Sequence, residues 1–309
     1  MYQLFGFNIA SEILCPELVP ASSVDHPGIF FILDDLPESL GESARAYPQT
    51  FNKLQFAPGL FQFEVPDVAR YRIEGGNVIR ISPFGGSRES EIRPYLLGTA
   101  MGALLLQRRL LPLHVCAVAL NGRTHAFCGP SGAGKSTLAL ALYRHGIPLL
   151  CDDVGLAVPN PDGEVMFYPG FPRIKLWRDT LGHFNIDETM LARDIIREEK
   201  FHMEIGPSSF YANPMPLGGL YALEKASPDT PPRLERLNRV NAISLLIEHT
   251  YRTELVRGIG YPGAHLQQCV AVAKSVPAFK YHRPWNLGAA ESSVAHLCER
   301  IMQNQSNLK

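Results

Sequence analysis

The sequence predicts an α/β fold in which a P-loop sheet with flanking helices follows a smaller β-rich N-terminal module. Three observations carry that expectation. The stretch Phe127–Thr137, FCGPSGAGKST, closes a short apolar strand and opens the helical run LALALYRHG, so it fits G-x-x-x-x-G-K-[ST] from Gly129 to Ser136. A second apolar run, Ile147–Cys151, ends on the adjacent carboxylates Asp152 and Asp153. Residues 1–86 instead hold short β-branched and aromatic segments separated by turn signals such as Gly75-Gly76 and Gly85-Gly86. The boundary is therefore expected at 86/87, with a P-loop domain over 87–309.

Taken in order, strands are expected at Tyr2–Ile9, Gly28–Leu33, Leu60–Val65, Ala69–Ile73 and Asn77–Ile81. Asp34, Asp35 and Glu38, beside prolines, read as a solvated loop. A helix follows over Glu89–Leu111, and its most apolar part, Tyr95–Leu106, is too short to span a bilayer. Leu113–Leu120 and Thr124–Cys128 read as strands joined by the Asn121-Gly122 turn. The run PNPDG at Pro159–Gly163 reads as a hairpin turn before a strand at Glu164–Tyr168. Thr189–Lys200, TMLARDIIREEK, has helical spacing. Leu220–Leu223 is strand-like and SPDTPPR at Ser227–Arg233 is a surface loop. Helices are expected at Arg239–Tyr251, Gly263–Lys274 and Gly288–Met302, with a last strand at Phe279–His282.

At 309 residues, 46% hydrophobic and 19% charged, the chain can bury a substantial core. Its formal net charge of −1 gives no long-range field for nucleic acid or an anionic membrane surface, so neither is an expected partner. The six cysteines show no CxxC pairing and read as reduced core residues. The opening MYQLFGFNIA lacks a basic segment and a long apolar one, so a cytoplasmic location is expected. His249, His265, His282 and His296 have no metal-ligand spacing, and no structural zinc is expected.

The residue types of the loop point to phosphate. Glycines let the backbone curl so that its N–H groups converge on phosphate oxygens, and the following helix adds its N-terminal partial positive charge. Gly129, Pro130, Ser131, Gly132, Ala133, Gly134, Lys135, Ser136 and Thr137 are the candidate nucleotide-binding residues, with Lys135 reaching the β- and γ-phosphates. Ser136, Asp152 and Asp153 are the candidate magnesium ligands, directly or through water. Two neighbouring carboxylates also permit a division of labour, one facing the metal and one accepting a proton from an attacking hydroxyl. The spacing does not assign the two roles. The cofactors expected are ATP and Mg2+.

The run LLPLHVCAVALNGRTHAFCGPSGAGKSTLALALYRHGIPLLCDDV resembles the catalytic core of the HPr kinase/phosphorylase superfamily. It has a histidine on the entering strand (His114), the glycine-rich loop, a helix ending in R-x-G (Arg144–Gly146) and the double aspartate. The segments YPGFPRIKLW, EEKFHM and VPAFKYHRP, and the opening YQLFGFNIASEILCPEL, are similar to the lasso-peptide precursor kinases of that superfamily. The resemblance implies a P-loop kinase fold related to phosphoenolpyruvate carboxykinase. It also implies transfer to a serine hydroxyl on a peptide or small-protein acceptor, plausibly a lasso-type ribosomal peptide precursor. By the same resemblance His114 lies near the transferred phosphate, where it orients the acceptor or tunes the base, and Asp152, Asp153 and Lys135 join it as catalytic residues. Family hexamers make a homo-oligomer an expectation of the same kind. Thr137 stands where the HPr enzymes carry an acidic residue, and Glu204-Ile205-Gly206-Pro207 does not reproduce their downstream glycine-rich signature. Both departures point away from HPr as the acceptor. An HPr kinase/phosphorylase, or an ATPase or sensor without an acceptor, are the alternatives.

On the acceptor side, Arg173 and Lys175 alternate with Ile174 and Leu176, which on a strand puts both cations on one face. That face either contacts the γ-phosphate or is simply solvated. Arg193, Arg197 and Lys200 are either a solvated helix face or a clamp on phosphate or a peptide carboxylate, and the resemblance adds His202 to Lys200 as a candidate contact.

Overall fold

The computed structural model describes all residues except 22–25, 42–44, 48–53, 195–196, 228–229, 285–287, 289 and 307–309. Its chain divides into two compact units, Met1–Pro112 with Thr250–Gln268, and Leu113–His249 with Cys269–Lys309. The 86/87 boundary expected from composition falls inside the first of them.

The first unit is built on a nine-stranded sheet. Its strands lie in the order Val19–Pro20, Tyr2–Leu4, Phe7–Ser11, Ile29–Leu33, Val78–Pro83, Ala69–Glu74, Leu60–Val65, Leu54–Ala57, Arg45–Tyr47. Period-two burial explains why this stretch is sheet: Ala69, Tyr71 and Ile73 are fully buried, while Arg70, Arg72 and Glu74 between them are half-buried. The expected helix runs from Glu89 to Gln107, with a π-helical stretch at Leu96–Ala100. Pro94 in its first segment lacks the N–H that the regular ladder needs at that point. Tyr71 Oη donates to Ile92 O at 3.0 Å and ties the helix to the sheet. Thr250–Gln268 completes the unit: the Tyr251 ring lies so close to Gly102 that a Cβ there would come within 2.8 Å of Cδ1. Leu255 and Val256 on the short helix Leu255–Ile259 are buried. Asp34, Asp35 and Glu38 lie on an exposed loop, as expected.

In the second unit the spine is Met215–Ala226, a 12-residue strand. It pairs antiparallel with Val165–Tyr168 at its start, then parallel with Arg123–Cys128 on one side and with Ala278–Pro284 on the other. Cys116–Leu120 continues the sheet from Arg123–Cys128, and Leu149–Asp152 lies beyond it. The turn between the first two is Asn121-Gly122, both at positive φ (51° and 70°), which is what a two-residue hairpin of this hand requires. The PNPDG turn likewise joins a hairpin, Gly155–Pro159 with Val165–Tyr168, whose first strand the sequence had not marked. Helix Lys135–Arg144 buries Leu138–Leu142 against Cys116–Leu120, Leu149–Asp152 and Ala290–Ser306. A separate three-stranded sheet is ordered Arg173–Trp177, Lys200–Glu204, Ala192–Arg193.

Two expectations need correction. Leu113–Leu120 is not one strand: Leu111–Leu113 and Cys116–Leu120 are interrupted at His114 and Val115, and the His114 N–H goes to His249 O at 2.8 Å. The helix expected at Thr189–Lys200 is instead a 3-10 turn at Glu188–Met190 followed by the strand Ala192–Arg193. Asp187 and Asp194 explain this, because their carboxylates accept the backbone N–H groups of Thr189 and Arg197, a local alternative to the helical ladder. Met190, counted as part of an apolar face, is 81% exposed. Ile195 and Ile196, the other two apolar positions of that expected face, lie outside the described residues.

Candidate active site

The loop Gly129–Gly134 turns between the end of Arg123–Cys128 and the first turn of helix Lys135–Arg144. Gly132 and Gly134 sit at φ 79° and 78°, a left-handed conformation in which an L side chain is strained. A Cβ on Gly129 would stand 2.9 Å from Ala133 Cβ, so the loop folds tightly on itself. Lys135 is buried, and its ammonium donates to the loop's own carbonyls, Gly129 O at 2.7 Å and Pro130 O at 3.3 Å. Burial pulls this ammonium below the usual lysine value, partly offset by the acidic groups around it, Asp152 and Asp153 among them.

The strand Leu149–Asp152 delivers the two aspartates. Register pairs Asp152 with Cys116, beside the first turn of the loop helix. Ser136 Oγ donates to Asp152 Oδ1 at 3.0 Å, and the Lys175 backbone N–H donates to Oδ2 at 2.9 Å. Asp153 then turns the opposite way on a backbone at φ 111°, a strained region for a non-glycine residue. Its N–H is held by Val115 O at 3.0 Å. Its carboxylate takes the Lys175 ammonium at 2.8 Å on Oδ2, and His114 Nδ1 lies 3.1 Å from Oδ1 and 2.9 Å from the Asp153 carbonyl oxygen.

Adjacent in sequence, the two carboxyl groups are electrostatically different. Burial pushes Asp152 up, reinforced by the neighbouring Asp153 charge, although the Lys175 N–H and the Ser136 hydroxyl partly counter it. Burial would raise Asp153 as well, but Lys175 and His114 outweigh it and hold this carboxyl well below the usual range.

The expected cationic face forms. Ile174 and Leu176 are fully buried, leaving Arg173 and Lys175 on the other face of the strand. Lys175 pairs in register with His202 and reaches Asp153, whereas Arg173 approaches His202 Nδ1 at 3.2 Å and stacks over the Phe171 ring at 4.8 Å. His202 Nε2 in turn lies 2.7 Å from Asp194 Oδ2, and that contact helps hold the Asp194 carboxyl below its usual value against burial. Lys200 is placed elsewhere: its ammonium lies over the Trp177 ring at 4.7 Å, and burial pushes it down. The structure thus gathers Lys135, Ser136, Asp152, Asp153, His114 and Lys175, with Arg173 and His202 next to them and Lys200 outside that set. Sequence reasoning had not singled out two members. Asp194 lay in the stretch misread as a helix, and Arg283, inside VPAFKYHRP, is 5% exposed and donates to Ala133 O at 2.7 Å.

No family model and no curated protein sequence matches the chain. Among solved structures it is similar to the Hpr(Ser) kinase/phosphatase from Coxiella burnetii, at 12% identity over 64% of this chain and 97% of that one, with a TM-score of 0.36. A likeness that distant does not carry function, which has to be read from the site. Among the described residues no helix is long and apolar enough to cross a membrane.

Proposed function

We propose that the chain is an ATP- and Mg2+-dependent kinase that transfers the γ-phosphate to a serine hydroxyl of a peptide or small protein. The acceptor that the sequence resemblance favours is a ribosomal peptide precursor. The observation that carries the reading is the opposite placement of two adjacent carboxylates: Asp152 on the loop serine, Asp153 on Lys175 and His114.

Asp152 and Ser136 fit a magnesium ion. They offer neighbouring hard oxygens, and Mg2+ takes one or two such protein ligands and completes its shell with phosphate oxygens and water. Among the described residues no group of three or more His, Cys, Asp or Glu side chains forms a closed metal cage, so the ligand set is of this open kind. When bound, the ion supplies charge neutralisation at the phosphates.

Asp153 belongs to the acceptor. It stays ionised, so it can accept a hydrogen bond from an incoming serine hydroxyl and hold its oxygen in line with the γ-phosphorus. The serine oxygen forms the new bond to phosphorus, the bond to the β-γ bridging oxygen breaks, ADP leaves, and the hydroxyl proton passes to Asp153. A weakly basic carboxylate suits this order, because the loose transition state needs positioning more than early proton removal. Lys175 and Lys135 bring positive charge to the side where the equatorial oxygens spread negative charge.

Intact-mass measurement tests the reading. A serine-ended precursor peptide incubated with the protein, ATP and Mg2+ should gain one phosphate, and Lys135→Ala should abolish the gain. Asp153→Asn should keep MgATP binding while transfer falls by about 100-fold or more. Loss of ATP with no labelled acceptor would replace the kinase by an ATPase, and phosphate on HPr alone would move the acceptor to that carrier.

A further inference from the structure

Three parallel strands, Arg123–Cys128, Met215–Ala226 and Ala278–Pro284, end on the same edge of the second unit's sheet. Ligand crevices of α/β sheets lie at that edge. The first strand delivers the glycine-rich loop there. The third delivers Arg283, the one arginine among the buried polar and charged residues described. Its guanidinium donates to Ala133 O at 2.7 Å and to Gly134 O at 3.3 Å. Burial pulls this guanidinium below the ordinary arginine value, so the fold holds the charge there against desolvation.

The two carbonyls matter because of what lies across each peptide plane. No cis peptide occurs among the described residues, so the oxygen and the N–H of each peptide point in opposite directions. Holding Ala133 O from behind aims the Gly134 N–H forward, and holding Gly134 O aims the Lys135 N–H forward. Gly134 O also takes the Leu138 N–H at 3.0 Å, tying the same plane into the helix ladder. Cys116 Sγ repeats the arrangement one plane later, donating to Lys135 O at 3.3 Å behind the Ser136 N–H.

We infer that Arg283 is a positioning residue of the phosphate site, clamping two successive peptide planes of the loop from behind so that their N–H groups face the nucleotide phosphates. This rests on the kinase reading in taking the loop to hold a nucleotide. The buried positive charge adds to the field of the loop amides, which already favours an anion. Arg283 itself touches neither phosphate nor acceptor.

The test compares MgATP and MgADP affinity, by titration calorimetry, for the wild-type protein, Arg283→Lys and Arg283→Met, with urea unfolding of each in the absence of nucleotide. Lysine keeps the charge but reaches one carbonyl, and methionine keeps only the bulk. We expect affinity for both nucleotides to fall about 5-fold for the lysine variant and about 30-fold for the methionine variant, a graded loss with partial rescue by charge. Wild-type affinity in a folded Arg283→Met protein would overturn the clamp. So would a lowered urea midpoint with unchanged affinity of the folded fraction, which marks a purely structural arginine. Should the methionine variant fail to fold, the lysine variant decides: affinity equal to wild type overturns the clamp, and a several-fold loss supports it. Wild-type protein that binds neither MgATP nor MgADP would remove the nucleotide reading and this inference together, whereas wild-type binding with unaffected variants removes the inference alone.

Discussion

Asp152 and Asp153 share a peptide bond and a burial history, yet their charges act on the fold with opposite signs. Asp153 has a folded value below its unfolded one, so its contribution to stability is fully present above about pH 4 and is lost as the pH falls through the folded value. Asp152 has a folded value above its unfolded one, so its ionisation works against the fold as the pH rises through that value. Asparagine removes either charge at nearly constant shape and tolerates the positive φ of residue 153. Urea midpoints from pH 3 to 7 should therefore diverge. Asp153→Asn should lose on the order of 2 kcal/mol near pH 6, with the deficit shrinking toward pH 3. Asp152→Asn should equal or exceed wild type near pH 7 and lose that advantage as the medium is acidified. A common sign for the two variants would show that the carboxylates are not separated as described. At this scale the sequence was informative where a motif fixed residue types: Lys135, Ser136 and both aspartates meet. It could not divide the aspartates, because that depends on which way the chain turns after Asp152 and on a lysine more than 20 positions downstream.

At the scale of elements, the hairpin Gly155–Pro159 with Val165–Tyr168 packs more tightly than its sequence suggests. A Cβ on Gly155 would lie 2.0 Å from Phe167 Cζ and 3.0 Å from Cys151 Sγ, and both neighbours are fully buried. Gly155→Ala should destabilise by about 1–3 kcal/mol or more, since neither the ring nor the sulfur has room to retreat. Thermal unfolding measures it, and an unchanged midpoint would show that the ring can move. The elements that were legible had strong local signals: the Asn121-Gly122 turn, the PNPDG turn, the apolar run Leu138–Leu142, and the alternation around Arg173. The misreading at Thr189–Lys200 has an equally local cause. Its apolar spacing was helical, but two aspartates offered backbone N–H groups a competing partner, and spacing alone does not weigh that competition. Strand Lys200–Glu204 owes its state to pairing with Arg173–Trp177, a partner distant in sequence.

At the scale of the whole molecule, ligand linkage gives the most direct check on the nucleotide site. A ligand that binds only the folded state at 100 times its Kd stabilises by about 2.7 kcal/mol. MgATP should therefore raise the unfolding midpoint of the wild-type protein and leave Lys135→Ala unmoved, as read by calorimetry. The β-rich character of the N-terminal region and the P-loop sheet after it were readable from composition and motif. The division into units was not, because the helix Glu89–Gln107 and the distant segment Thr250–Gln268 join the first unit by packing rather than by any change in composition.

That out-and-back path also governs how the protein matures as it leaves the ribosome. Domains ordinarily finish in the order in which they are made. Here the first unit still lacks Tyr251, Leu255 and Val256 when residues through His249 have been synthesised, and the second still lacks the strand carrying Arg283. A nascent chain interrupted anywhere before Gln268 contains no finished unit of either kind, so both must reach their final form nearly together, late in synthesis.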